Sequence, residues 1–156
     1  MGPDHTYDLT VTWTGNDGSG TSGYRDYRRD NVVTAVGPPD LAGSADPTFR
    51  GDPARWNPEQ LLVAALSQCH LLSYLHVCVR SDVVVTAYTD EAHGEMRTHP
   101  DGSGELTSVV LRPSVTVADA DMVDRANALH DEAHHLCFIA RSVNFPVRHE
   151  ATATAG

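Results

Sequence analysis

Lysine is missing from these 156 residues: all eleven basic side chains are arginine. That excludes a Schiff-base lysine and the lysine of a phosphate-binding P-loop. Positive charge is scarce as well, with twenty-one acidic residues and a formal net charge of −10. Nucleic acid and anionic membrane surfaces are therefore not expected as partners. There is no CxxC, no HExxH and no GxSxG, and no internal repeat or linker. The longest apolar run, interrupted by Ser, Gln and His, is expected to be too short to span a bilayer. Residues 1–8 have neither a basic nor an apolar leader region, so no secretory signal is expected. Three cysteines without disulfide-framework spacing fit a reducing cytoplasm. A cysteine there is commonly a small buried apolar residue. With 40% hydrophobic residues, the chain has the material for one globular domain over residues 1–156.

What is present centres on residues 57–80, NPEQLLVAALSQCHLLSYLHVCVR. Asn57 supplies a capping side chain, and Pro58 fits the first helical position, where no backbone N–H is needed. Glu59 favours the positive end of the helix dipole, and Gln60 can reach back as in a capping box. Leu61, Leu62, Ala65, Leu66, Cys69, Leu72, Leu75 and Val79 follow at helical spacing with little polar relief, so the helix is expected to be mostly buried.

Alternation predicts strands over 7–14, 21–28 and 31–36, the first two joined by the turn cluster at 15–20. Residues 37–56, punctuated by Pro and Gly, read as a long loop. After the helix come a strand from 83, continuing towards Met96, and a strand over 105–117 interrupted by Pro113. A second helix, capped by Asp119 or Asp121, carries Val123, Ala126, Leu129, Ala133 and Leu136 on one face. An apolar turn opens at Cys137, and a last strand covers 144–154. The order βββ-α-ββ-α-β gives an antiparallel sheet with helices packed on it, an α+β fold.

Cys69 lies mid-helix, where the dipole alone does not lower its pKa, so a reactive thiolate needs an Arg or protonated His from elsewhere. The segment Tyr24-Arg25-Asp26-Tyr27-Arg28-Arg29 is the richest supply, although such a segment also serves as a solvated edge. Cys69 and Cys78 stand roughly 13 Å apart along the helix, too far for a disulfide. An internal redox couple would be Cys69 with Cys137, leaving Cys78 structural.

Residues 56–69, WNPEQLLVAALSQC, resemble the NPE[EQ]LLxAALxxC signature of the OsmC/Ohr family. Residues 129–137, LHDEAHHLC, are similar to its second signature, a helix ending in a cysteine before an apolar turn. Gly23-Tyr24-Arg25-Asp26 is similar to its early Gly-x-Arg-Asp stretch. The three matches occur in family order over nearly the whole chain. The resemblance implies the family fold, sheets wrapped around a long central helix in an intertwined homodimer. It implies a thiol peroxidase that reduces organic hydroperoxides to alcohols. Cys69 would be the peroxidatic thiolate and Cys137 the resolving thiol. Arg25 would stabilise the thiolate, held by a bidentate pair with Glu59. Cys69 would become a sulfenic acid and then a Cys69–Cys137 disulfide, recycled by an external dithiol of lipoyl type or by a small thiol. No metal or organic cofactor enters that cycle. The chain departs from the family pattern at Phe138, where proline is common, and at His70, where an aromatic is common.

Glu59 and Cys69 are roughly 15 Å apart along a straight helix. If both serve one pocket, the helix begins later or the pocket sits between subunits, and pairing two apolar helices across a dimer would favour the second. Whether Arg25, Arg28 or Arg29 faces the thiol stays open. Two other readings use the same residues. His130, His134 and Cys137, spaced i, i+4 and i+7, would line a zinc site completed by Cys69 or His135; otherwise His130 and His134 form a polar stripe beside the apolar face. A non-catalytic module would hold an apolar small molecule in a cleft over Cys69.

Overall fold

In the computed structural model, which describes residues 2–156, Asn57 and Gln60 close the capping box. The Gln60 N–H donates to Asn57 Oδ1 (2.8 Å) and the Asn57 N–H to Gln60 Oε1 (3.1 Å). Helix α1 then runs over Pro58–Arg80. It ends where Asp82 takes a left-handed φ of 56° and the Val83 N–H donates to Cys78 O (3.0 Å). The chain gathers into two compact units, one ending at Leu61 and the other covering Leu62–Gly156.

The first unit is a three-stranded antiparallel sheet of β1 (Thr10–Trp13), β2 (Asn31–Thr34) and β3 (Leu41–Gly43), in that order. β1 pairs with β2, not with a strand at 21–28. That segment is a run of turns, because its polar groups bond locally: the Asp26 N–H donates to Gly23 O, and the Arg29 guanidinium to the Tyr24 and Tyr27 carbonyls. The loop is closed by Arg28 N–H on Gly15 O (2.9 Å), so near that a Cβ on Gly15 would fall 1.8 Å from Arg28 O. The expected long loop at 37–56 contains β3 and a 3-10 turn at Pro47–Phe49. Its end returns to the sheet through Trp56 N–H on Ala42 O (3.1 Å) and Ser44 N–H on Trp56 O (2.8 Å).

In the second unit each long predicted strand breaks and changes sheet. β4 (Val85–Asp90) and β5 (His93–Thr98) replace the first, β6 (Gly104–Leu111) and β7 (Pro113–Val117) the second, and β8 (Val147–His149) and β9 (Thr152–Ala155) the third. One sheet has the order β4-β7-β9 and the other β5-β6-β8. Asp90 fixes a corner: it accepts the Arg112 N–H (2.6 Å) and the Ser67 hydroxyl of α1. Helix α2 (Val123–Leu136) follows a 3-10 turn at Ala120–Met122. Neither Asp119 nor Asp121 caps it through a side chain; Met122 holds the cap position.

Each sheet of the second unit has its own core. Tyr74, Val77 and Cys78 of α1 pack with Val115, Val117, Ala126 and Leu129, while Leu66 packs with Val109 and Leu111. Contrary to expectation, α1 is not mostly buried. Leu66, His70, Tyr74, Val77 and Cys78 are buried, but Leu72 (61%) and Val79 (76%) stand exposed. Its length and an 18-residue window of mean hydropathy 1.5 also make it long and apolar enough to cross a membrane, against the sequence expectation. The architecture is α+β.

Candidate functional site

Cys69 is carried by α1 between Leu66 of one core cluster and Tyr74 of the other. Cys137 follows the last residue of α2, where the backbone turns extended and its N–H donates to His134 O (3.2 Å). Both thiols are unoxidised, and Cys69 lies near enough to Cys137 to help raise its thiol. Cys137 is buried at 1% exposure, which pushes its thiol up to about 11, whereas Cys69 is half-buried. The Ala140 N–H donates to Cys137 Sγ (3.4 Å). Cys78 is buried against Tyr74 and its thiol is raised by that burial, as befits a core residue.

A cavity of about 400 Å³ opens beside Cys69, lined by Leu72, Ser73, His76, Arg80, Leu136 and Phe138. Its walls are mostly apolar because Leu72 and Phe138 turn outward instead of into the core. The arrangement offers an apolar molecule a place against a half-buried thiol, with a second thiol behind it.

The first unit has a cavity of about 350 Å³, bordered by Trp13, Tyr27, Arg29, Phe49, Asp46 and Glu59. Arg29 lies over the Tyr27 ring (4.0 Å) and the Tyr24 ring (4.5 Å), and donates to the carbonyls of both residues (2.6 and 2.8 Å). These contacts fix a planar guanidinium, and among the described residues no carboxylate lies within ion-pair distance of it. Arg28 is committed to Asp17 and Asp30. Asp30, buried at 5%, also receives Ser44 Oγ–H (3.3 Å) and lies near Arg55. Arg25 is exposed, and among the described residues of its unit no ion pair joins it to Glu59. The sequence pattern singles out Arg25; the geometry places Arg29 in the cavity that Glu59 borders.

The polar stripe expected on α2 is not one. His130 is fully buried, and its Nδ1 meets Nε2 of the buried His70 at 2.9 Å. This bond and the stacking of Tyr74 on the His130 ring (3.9 Å) turn His130 away from any joint site with Cys137. Among the described residues no group of three or more His, Cys, Asp or Glu is placed to hold a metal ion.

The comparisons agree with this architecture. The family described as OsmC-like protein matches residues 51–152. The structure is similar to an OsmC-like protein of unknown function from Vibrio cholerae, with 31% identity, 95% of this chain and 99% of that one covered, and a TM-score of 0.84. It shares its fold with an organic hydroperoxide resistance protein from Elizabethkingia anophelis (16% identity, 99% and 100% covered, TM-score 0.65). The same holds for an organic hydroperoxide resistance protein OsmC from Legionella pneumophila (18% identity, 97% and 99% covered, TM-score 0.68). Among curated proteins none matches. A family match over residues 51–152, on a chain with this fold, shows that the protein belongs to the OsmC-like family.

Proposed function

We propose that this protein is a cysteine-based thiol peroxidase that reduces organic hydroperoxides to alcohols. The observation that carries the reading is the meeting of Cys69 and Cys137, delivered by two different helices, beside an apolar cavity. The Cys69 thiolate attacks one peroxide oxygen; the O–O bond breaks, the alkoxide takes a proton and leaves as alcohol, and Cys69 becomes a sulfenic acid. The Cys137 thiol then displaces that hydroxyl as water, giving the Cys69–Cys137 disulfide. An external dithiol, lipoyl-type or a small thiol, gives up two electrons and two protons to restore both thiols. No bound cofactor takes part.

Thiolate chemistry needs a cation. Within the unit that carries Cys69, His76 and Arg80 are the basic side chains that line its cavity. The exposed apolar face of α1 at Leu72, Leu75 and Val79 supports a homodimer in which a second copy covers it. A cycle through free thiols suits the cytoplasm.

The test is thiol titration of the reduced protein after one equivalent of an organic hydroperoxide, with the cysteines mapped by mass spectrometry. Loss of two thiols within seconds, joined as Cys69–Cys137, is the expected result. In Cys137→Ser, turnover driven by dithiol should stop and Cys69 accumulate as sulfenic acid. Thiols that survive a stoichiometric dose for minutes would instead favour a binding module that holds an apolar molecule without reacting.

A further inference from the structure

His70 and His130 are an unusual pair to bury. Both are exposed by 1% or less, and each has one ring nitrogen, His70 Nδ1 and His130 Nε2, without a partner. Two neutral imidazoles hold two N–H protons between them. One occupies the 2.9 Å contact, so the other is left on an outer nitrogen with nothing to receive it. A buried donor without a partner is costly, and an apolar pair of the same volume would avoid that cost. Packing alone therefore does not account for these residues. Buried polar contacts of this kind are best explained where they fix register.

Their position shows what register they fix. His70 is the residue after Cys69 on α1, and His130 lies two helical turns before Cys137 on α2. On the other side of His130, Tyr74 stacks at 3.9 Å and its phenol donates to Ala126 O (3.0 Å). Sliding or rotating α2 on α1 would break both contacts and move Cys137. We infer that His70 and His130 are positioning residues for the thiol couple: their hydrogen bond sets α2 on α1 so that Cys137 stays against Cys69. This rests on reading Cys69 and Cys137 as a redox couple, but not on the nature of the peroxide.

The pair is also sensitive to protons. One added proton leaves the contact intact but puts a charge in the core, and a second places N–H groups on both facing nitrogens and breaks it. The surrounding groups do little to welcome that charge. Tyr74 faces it from α1, His134 and Asp131 from α2, and His149 from β8. Asp131 is largely exposed and bonded to His149 Nε2 (3.1 Å).

The experiment needs no peroxide. Reduced protein is equilibrated with oxidised glutathione, two protein thiols and one glutathione disulfide giving one protein disulfide and two glutathione thiols. The effective concentration of Cys137 at Cys69 is read from that equilibrium. Two double variants are compared with the parent. His70→Phe with His130→Leu removes the bond at similar volume. His70→Gln with His130→Asn rebuilds it with amides that do not titrate. The apolar pair should lower the effective concentration at about pH 7.5 roughly tenfold, and the amide pair should stay within about threefold of the parent. Corrected for thiol ionisation, the parent value should hold to about pH 5 and fall as pH drops through about 4, while that of the amide pair stays level. An apolar variant that retains the parent value overturns the inference. If that variant does not fold, the pH profile decides: an amide pair that follows the parent overturns it. A parent that forms no Cys69–Cys137 disulfide at all overturns the redox couple itself, a result distinct from equal disulfides in every variant.

Discussion

Acidification should unfold this protein at a pH where its carboxylates are still ionised. His70 is held down to about 3 and His130 to about 4, in both cases first by burial and then by neighbouring imidazoles, against 6.5 for a free side chain. The folded-state values are depressed, so the unfolded chain binds more protons between pH 6.5 and these values. The stability conferred by the neutral pair is complete above 6.5 and is lost as pH falls through that window. At pH 5 an unfolded imidazole is about 97% protonated, so each buried neutral ring costs about 2 kcal/mol and the two about 4 kcal/mol. For a chain of this size roughly 2–4 °C is lost per kcal/mol, so Tm should drop by about 8–16 °C between pH 7.5 and 5. Asp17, Asp46 and Asp101, whose carboxyls are lowered by hydrogen bonds from Arg28, Thr48 and Ser103, titrate below 3.8 and stay out of this window. Thermal melts across that pH range, on the parent and on the His70→Gln/His130→Asn pair, check the reasoning. The parent should lose stability steeply, while the amide pair retains the shallower slope due to other groups, His134 among them. Equal slopes would refute it.

Three further outcomes follow from contacts already described. Arg29→Met removes the guanidinium that donates to the Tyr24 and Tyr27 carbonyls, and chemical denaturation should show a loss of about 1 kcal/mol, whereas Arg25→Met at an exposed position should cost less than about 0.5 kcal/mol. Tyr74→Phe removes the phenol that donates to Ala126 O, and chemical denaturation should show a loss of about 1 kcal/mol. Leu72→Glu with Val79→Glu charges the exposed face of α1; light scattering should show a dimer for the parent and a monomer for this variant.

Where the determinants are local, the sequence is legible. The capping box is written in Asn57 and Gln60, and the turn at 100–104 in its Pro, Asp and Gly, because each bond spans only a few residues. The strand breaks at Glu91-Ala92 and Arg112 are not legible, since β-rich residues continue through them. Asp90, twenty-two residues away from Arg112, holds the corner. β3 is hidden for the opposite reason: its three residues lie among Pro and Gly, and only pairing with β2 makes them a strand. That Arg29 and not Arg25 borders the cavity of the first unit goes with two tyrosine rings that turn back on the chain. His130 shows the general limit. Its spacing places it beside the apolar face of α2, but which way that helix rotates is decided by Tyr74 and His70, more than fifty residues away. The thiol helix can be read from the chain; the contact between His70 and His130 cannot.

The two sheets of the second unit are finished by the same short stretch. β8 adds to β6 and β9 to β7, both in parallel, and α2 is synthesised before either strand. On the ribosome, then, β6 and β7 have been synthesised long before residues 147–155 exist. Each presents an unpaired edge next to buried Val109, Leu111, Val115 and Val117 for that interval. Folding of this unit is therefore completed late, with loops of more than thirty residues to close, and slow elongation through the last helix would prolong the exposure of both edges.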